Sequence, residues 1–246
     1  MDYFDHATRI RFPPPDEANP WGVVAQGGNL SPGVLLSAYE QGIFPWYESP
    51  PILWFSPDPR FVLRLDRFRI ASRLRRTIRK GRFNVTFDRA FGEVIHACRA
   101  TRLSDDTGTW ITTDMEEAYC ELHRLGHAHS VEVWDGTQLS GGLYGVAVGT
   151  LFAGESMFSL LRDASKFALV ALVGLLDAWG LELLDCQSHT DYLASFGAEN
   201  IPRPRFLRTL ARLRNERTLP ANWSGWDAQA MVGRALALEA ANRGDQ

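Results

Sequence analysis

A mixed α/β fold is expected of this chain from three of its stretches. From Ser130 onward, SVEVW, a DG turn, LSGGLYGVAV and LFAGESMF read as a meander of three strands. DASKFALVALVGLLDAWG then reads as a buried helix, apolar on most sides, with Asp163 as N-cap and Gly180 just past its end. ELLDCQ follows as a further strand. Strands and helices in this combination make the class α+β.

Before the meander the elements are shorter. The first 60 residues are rich in proline, glycine and tryptophan, and the consecutive prolines of RFPPPDEANPWG favour an extended path. In GGNLSPGVLLSAYEQGIFPW, Ser31 can N-cap a helix that opens on Pro32. Leu35, Leu36 and Tyr39 give that helix an apolar face until Gly42 stops it. ILWFSPDPRFVL reads as strand, proline turn and strand. A helix over 67–80 follows from Ile70, Leu74 and Ile78 at helical spacing, with Gly81 ending it. Further helices are expected over 87–99 and 113–125, the second from a capping box at Thr113 and Glu116. After ELLDCQ, ASFGAENIPR reads as a short helix and a turn, and the tail beyond Leu219 as helix.

Composition narrows the function. The chain has 246 residues, enough for one large domain or two, with 45% hydrophobic and 22% charged residues. A net charge of −3 argues against a surface that coats nucleic acid everywhere, but leaves room for a local basic patch. Cys98, Cys120 and Cys186 are odd in number and have no CxxC spacing, so they read as reduced thiols of a cytoplasmic protein. MDYFDHATRI has no apolar signal core. The longest uncharged apolar run, 167–176, is too short to span a bilayer. No phosphate loop, dinucleotide fingerprint or GxSxG elbow occurs. QLSGG sits inside the meander, not between strand and helix, which discounts it as a coenzyme A loop. His123, His127 and His129 lack an acidic or cysteine partner at metal-ligand spacing, and no metal is expected.

Four features remain. Glu155 is a carboxylate inside an apolar run, where an unpaired charge costs several kcal/mol. It either pairs with an internal cation or recognises one on a substrate. Asp185 and Gln187, two apart at the C-terminal end of a strand, share a face there, as site residues of α/β sheets do. Between Arg64 and Arg82, nine of nineteen residues are basic against the single acid Asp66. Arg73, Arg75, Arg76, Arg79 and Lys80 of this stretch fit a nucleic-acid backbone, and Trp46 and Trp110, in loop-like contexts, suit base stacking.

Together, GGNLSP, AYEQGIFPWY, PILWFSPDPR, FGEVIHAC, GTWIT, AYCELHRLGHAHSVEVW, GGLYGVAVGTLFAGESMFS, DASKFAL and DCQSHTDYLASFGA resemble, in order, the leucyl/phenylalanyl-tRNA–protein transferases. The likeness spans about residues 12–207. It implies a small N-terminal domain (1–62) and a catalytic domain (63–246) similar to the GCN5-type N-acyltransferases. It further implies transfer of Leu or Phe, and less well Met, from aminoacyl-tRNA to the N-terminal α-amine of proteins beginning with Arg or Lys. The product is marked for degradation in the N-degron pathway. No cofactor is implied, because the tRNA ester is already activated, and no membrane is involved.

By this resemblance Glu155 recognises the acceptor's cationic side chain, and Asp185 and Gln187 are the catalytic pair. Trp46 and Trp110 hold the 3′-terminal adenosine. Leu143, Phe152, Met157, Leu169 and Leu184 line the pocket for the transferred side chain. Leu172 and Leu176 stand where the family pattern has phenylalanine, and Phe167 where it has a small residue. Asp185 is expected to orient Gln187 and to take the proton late, with Gln187 holding the attacking amine; a proton path through the tRNA hydroxyls is the alternative. The rival readings are a coenzyme A-dependent N-acyltransferase on the same fold and a noncatalytic tRNA-binding module.

Overall fold

The computed structural model describes residues 3–104, 109–216 and 219–244. Strands β1 (Val23–Gln26), β2 (Phe44–Pro45) and β3 (Leu53–Phe55) form a small antiparallel sheet in the order β1-β3-β2. Helix α1 (Pro32–Glu40) lies between β1 and β2, opened by Ser31 and Pro32 as its sequence requires. Every residue of α1 from Pro32 to Tyr39 is buried, so its apolar face is not its only covered one.

The other strands join one seven-stranded sheet, ordered β10-β4-β9-β8-β7-β6-β5. They are β4 (Arg60–Arg64), β5 (Asn84–Phe87), β6 (Ala128–Asp135), β7 (Gln138–Val148), β8 (Leu151–Ser159), β9 (Leu183–Gln187) and β10 (Glu199–Ile201). The meander β6-β7-β8 is antiparallel as expected. Strand β9 returns parallel to β8 after the crossover helix α5 (Ala164–Ala178).

Helix α5 can be apolar all round because it is covered twice, by the sheet and by α8 (Ala228–Gly244). The two helices come so close at Gly174 that an added Cβ would sit 1.9 Å from the Met231 carbonyl oxygen. The opposite face of the sheet carries α3 (Phe91–Ser104), α4 (Thr113–Arg124) and the N-terminal segment in one core, where Leu35, Tyr39 and Trp54 join Phe91, Tyr119, Tyr144 and Phe158. A smaller cluster joins α7 (Arg203–Leu213) to β4 and β10 through Phe206, Leu210, Val62 and Ile201.

Several boundaries differ from expectation. The helix expected over 67–80 is α2 (Ser72–Arg79), preceded by a 3-10 turn at Leu65–Arg67. The helix expected from 87 starts at Phe91, because Phe87 ends β5 and Asp88 turns the chain with a φ of 53°. Thr112, not Thr113, caps α4: its hydroxyl accepts from the Met115 N–H at 3.2 Å. In ASFGAENIPR the short helix α6 (Asp191–Ala194) comes earlier and Glu199–Ile201 is an edge strand. A boundary after residue 62 falls within β4, where Phe61 already pairs with Gln187 and Val62 with Asp185.

Candidate active site

Strands β8 and β9 pair at Phe152 with Leu184 and at Ala153 with Asp185. Beyond these pairs lies a cavity of about 630 Å³, lined from β8 by Gly154, Glu155, Ser156 and Met157 and from β9 by Asp185, Cys186 and Gln187. Two bulges shape its walls. Gly154 pairs with Gly145 and Ser156 with Tyr144, so Glu155 is the extra residue of β8. Cys186 is the extra residue between Asp185 and Gln187 against β4. Bulges break alternation and re-aim side chains, and the first turns Glu155 toward α4 and α1.

Glu155 is buried and has no cation partner among the described residues. Its Oε1 accepts from Gln187 Nε2 at 2.6 Å and its Oε2 from the Tyr119 hydroxyl at 3.1 Å. Tyr119 in turn shares a short hydrogen bond with Tyr39 of α1. Burial pushes the Glu155 carboxyl up to about 7, against the lowering effect of hydrogen bonds from Tyr39, Gln187 and Tyr119. Burial, and then the charge of Glu155, hold the hydroxyls of Tyr39 and Tyr119 well above the usual phenol range, so both remain protonated donors.

The internal cation goes to Asp185 instead. Arg60 grips that carboxylate with both arms, Nε to Oδ1 at 2.8 Å and Nη2 to Oδ2 at 2.6 Å, and both side chains are 2% exposed or less. Phe44 and Phe206 flank the guanidinium at 4.9 and 4.5 Å, and its Nη1 donates to the Gly42 carbonyl. Asp185 Oδ1 also accepts the Gln187 backbone N–H at 2.9 Å, which holds Gln187 at its φ of 62°. A late proton on Asp185 would have to be received by a carboxylate whose two oxygens already accept from Arg60 and from the Gln187 N–H.

Trp46 and Trp110 both line the cavity, Trp46 44% exposed and packed on Phe55. Leu143, Met157, Leu169 and Leu184 line it too, joined by Leu172. Phe152 does not. It is fully buried where β8 is still paired on both sides, 5.4 Å from the ring of Trp223. Phe167 packs edge-on against Phe83, outside the cavity wall.

The arginine helix lies apart from the cavity. Arg73, Arg76, Arg79 and Lys80 are exposed, and none of the four makes an ion pair among the described residues. Arg75 is different: it turns inward and bonds the buried Glu239 of α8 at 2.7 and 3.2 Å. Its assignment to a nucleic-acid backbone is corrected, since the guanidinium is already committed.

Sequence reasoning missed Arg60, Tyr39 and Tyr119. Arg60 carries the signal that flagged Glu155, a charge at the head of the apolar run FVL. The tyrosines read as core aromatics and carry no such signal.

Residues 62–211 match the family model described as leucyl/phenylalanyl-tRNA protein transferase, and residues 28–58 match the model of its N-terminal domain. A leucyl/phenylalanyl-tRNA–protein transferase of Myxococcus xanthus is 53% identical over 214 residues, covering 87% of this chain and 92% of its own. One of Aromatoleum aromaticum is 54% identical over 222 residues, covering 89% and 93%. Among solved structures, a metagenomic aminoglycoside acetyltransferase in complex with sisomicin is 12% identical, covers 60% of this chain and 99% of its own, and superposes with a TM-score of 0.38. With both domain models matched in order and such relatives aligned over most of their length, this chain belongs to the leucyl/phenylalanyl-tRNA–protein transferase family.

Proposed function

We propose that the protein transfers Leu or Phe, and less well Met, from aminoacyl-tRNA to the α-amine of proteins that begin with Arg or Lys. The observation that carries this reading is Glu155: a buried carboxylate on a cavity wall, hydrogen-bonded among the described residues only to neutral donors while the internal arginine serves Asp185. A substrate cation that reaches Glu155 gains a partner desolvated in advance. Leu143, Met157, Leu169, Leu172 and Leu184 offer the apolar wall for the transferred side chain, and Trp46 and Trp110 a platform for the terminal adenosine. Arg73, Arg76, Arg79 and Lys80 are left to contact the tRNA backbone.

The chemistry asks little beyond position. An α-amine with a pKa near 8 is about a tenth free base at pH 7, and the ester it attacks is already activated. Gln187 gives its amide N–H to Glu155, which leaves its carbonyl oxygen to hold the attacking amine. Asp185, fixed by Arg60, holds Gln187 in place. As the amine attacks the ester carbonyl, the carbon–nitrogen bond forms and the tRNA 3′-oxygen leaves. The amine's proton passes to that departing 3′-oxygen, which leaves as the ribose hydroxyl. The product begins with Leu or Phe and enters N-degron degradation in the cytoplasm.

Incubation of labelled Phe-tRNA with an Arg-starting peptide, with and without a coenzyme A thioester, tests the proposal. Labelled peptide independent of the thioester supports it. Product only with the thioester would make the protein a coenzyme A-dependent acyltransferase, and tRNA binding without product a noncatalytic module.

A further inference from the structure

Among the described residues, the cavity holds a second charge without an ion-pair partner. Arg102, on α3, lines it beside Trp110, with its guanidinium carbon 5.8 Å from the indole centroid. Its Nε donates to Ser156 Oγ at 3.3 Å, and among the described residues no carboxylate pairs with it. Glu155 and Arg102 do not pair with each other, although both border the same space. The bulge in β8 aims Glu155 at the tyrosines and leaves its neighbour Ser156 to anchor Arg102. The two terminal nitrogens of Arg102 donate to no protein group among the described residues. Among the described residues the cavity thus offers one carboxylate without a cation and one guanidinium without an anion.

We propose that Arg102 binds the phosphate on the 5′ side of the donor's terminal adenosine. This rests on the reading of Trp110 as part of the adenosine platform. A nucleoside stacked there carries its 5′-phosphate one sugar away from the base, on the side where a neighbouring guanidinium can meet it. A guanidinium fork matches two phosphate oxygens at once, and anchoring at Nε already fixes its plane. The two charges then sort the two substrates: the acceptor's cation goes to Glu155 and the donor's anion to Arg102.

Two minimal donors separate this from other roles: the phenylalanyl 3′-ester of adenosine, and the same ester carrying a 5′-phosphate. The protein is expected to favour the phosphorylated donor by about tenfold or more in KM, the size of one charge-assisted hydrogen bond. Arg102→Gln should erase that preference with little change in kcat, and Arg102→Lys should restore part of it. A protein that treats both donors alike would overturn the proposal. So would a variant that is impaired equally with both donors, or one whose only change is in the KM of the acceptor peptide. Failure of the stacking platform shows elsewhere, as a normal KM for the unphosphorylated donor in Trp110→Ala, and the donor comparison at Arg102 stands apart from that result.

Discussion

Arg60 and Asp185 form a two-armed ion pair in the interior, with hydrogen bonds of 2.8 and 2.6 Å, and Asp185 passes that fixity to the backbone of Gln187. Removing one partner leaves the other charged and dry. Arg60→Met should destabilise the fold by about 3–5 kcal/mol in urea unfolding, whereas Arg60→Met with Asp185→Leu should recover much of that loss. Activity should not return in the double variant, because nothing then holds Gln187. A double variant as unstable as the single would show that the pair is not what Asp185 needs.

Glu155 should make both stability and acceptor binding depend on pH. For an acid raised from 4.5 to about 7, the folded form binds more protons than the unfolded chain between those values. Stability should therefore decline as pH rises through that window, by on the order of 3 kcal/mol, and Glu155→Gln should flatten the decline. In the same range the KM for an Arg-starting peptide should fall as pH rises, since only the carboxylate pairs with the incoming cation. The general gain from deprotonating the amine should persist in the variant. A variant with the parent's KM profile would place the titration elsewhere.

The basic helix divides into two kinds of arginine. Reversing Arg76 and Arg79 should weaken tRNA binding and lower the log–log salt slope by about one for each phosphate that is no longer neutralised. Arg75→Ala should instead lower stability, by leaving the buried Glu239 with Arg243 as its remaining ion-pair partner among the described residues, with the salt slope unmoved. Filter binding across a salt series distinguishes them. Equal slope changes for both would mean that Arg75 leaves Glu239 for the nucleic acid.

Stacking and charge should respond differently to salt. Trp46→Ala and Trp110→Ala should each raise the KM for an aminoacyl-adenosine, by the equivalent of roughly 1–3 kcal/mol per base, and the effect should survive high salt. Normal KM values in both variants would remove the platform.

What the sequence disclosed and what it hid follow from where the partners lie. The β6-β7-β8 meander is legible because its turn and its alternation are local. Helix α5 is legible because its apolar run is longer than a strand. Strand β10 is not: three residues carry no period of their own, and Glu199–Ile201 is a strand only because β4 lies beside it. Arg75 has the same helical setting as Arg76, and the acid that separates the two comes from α8, far along the chain. Phe152 and Met157, five apart, would face opposite ways in a regular strand, and the bulge at Glu155 that changes this is not visible in the sequence; nor is Trp223 of the tail, which lies close to the Phe152 ring. Family likeness brought Glu155, Asp185 and Gln187 together. Only the structure shows that Arg60 belongs to Asp185 and that, among the described residues, Glu155 has no cation.

The most direct measurement of that last point compares peptides that begin with Arg, Lys or citrulline, the last a neutral near-isostere of Arg. With labelled Phe-tRNA as donor, the protein should modify the Arg and Lys peptides and discriminate against citrulline by about tenfold or more, as removal of a charged partner requires. Glu155→Gln should abolish that discrimination. Equal use of Arg and citrulline peptides by the unaltered protein, or discrimination that survives in Glu155→Gln, would contradict the assignment of Glu155 as the cation's partner.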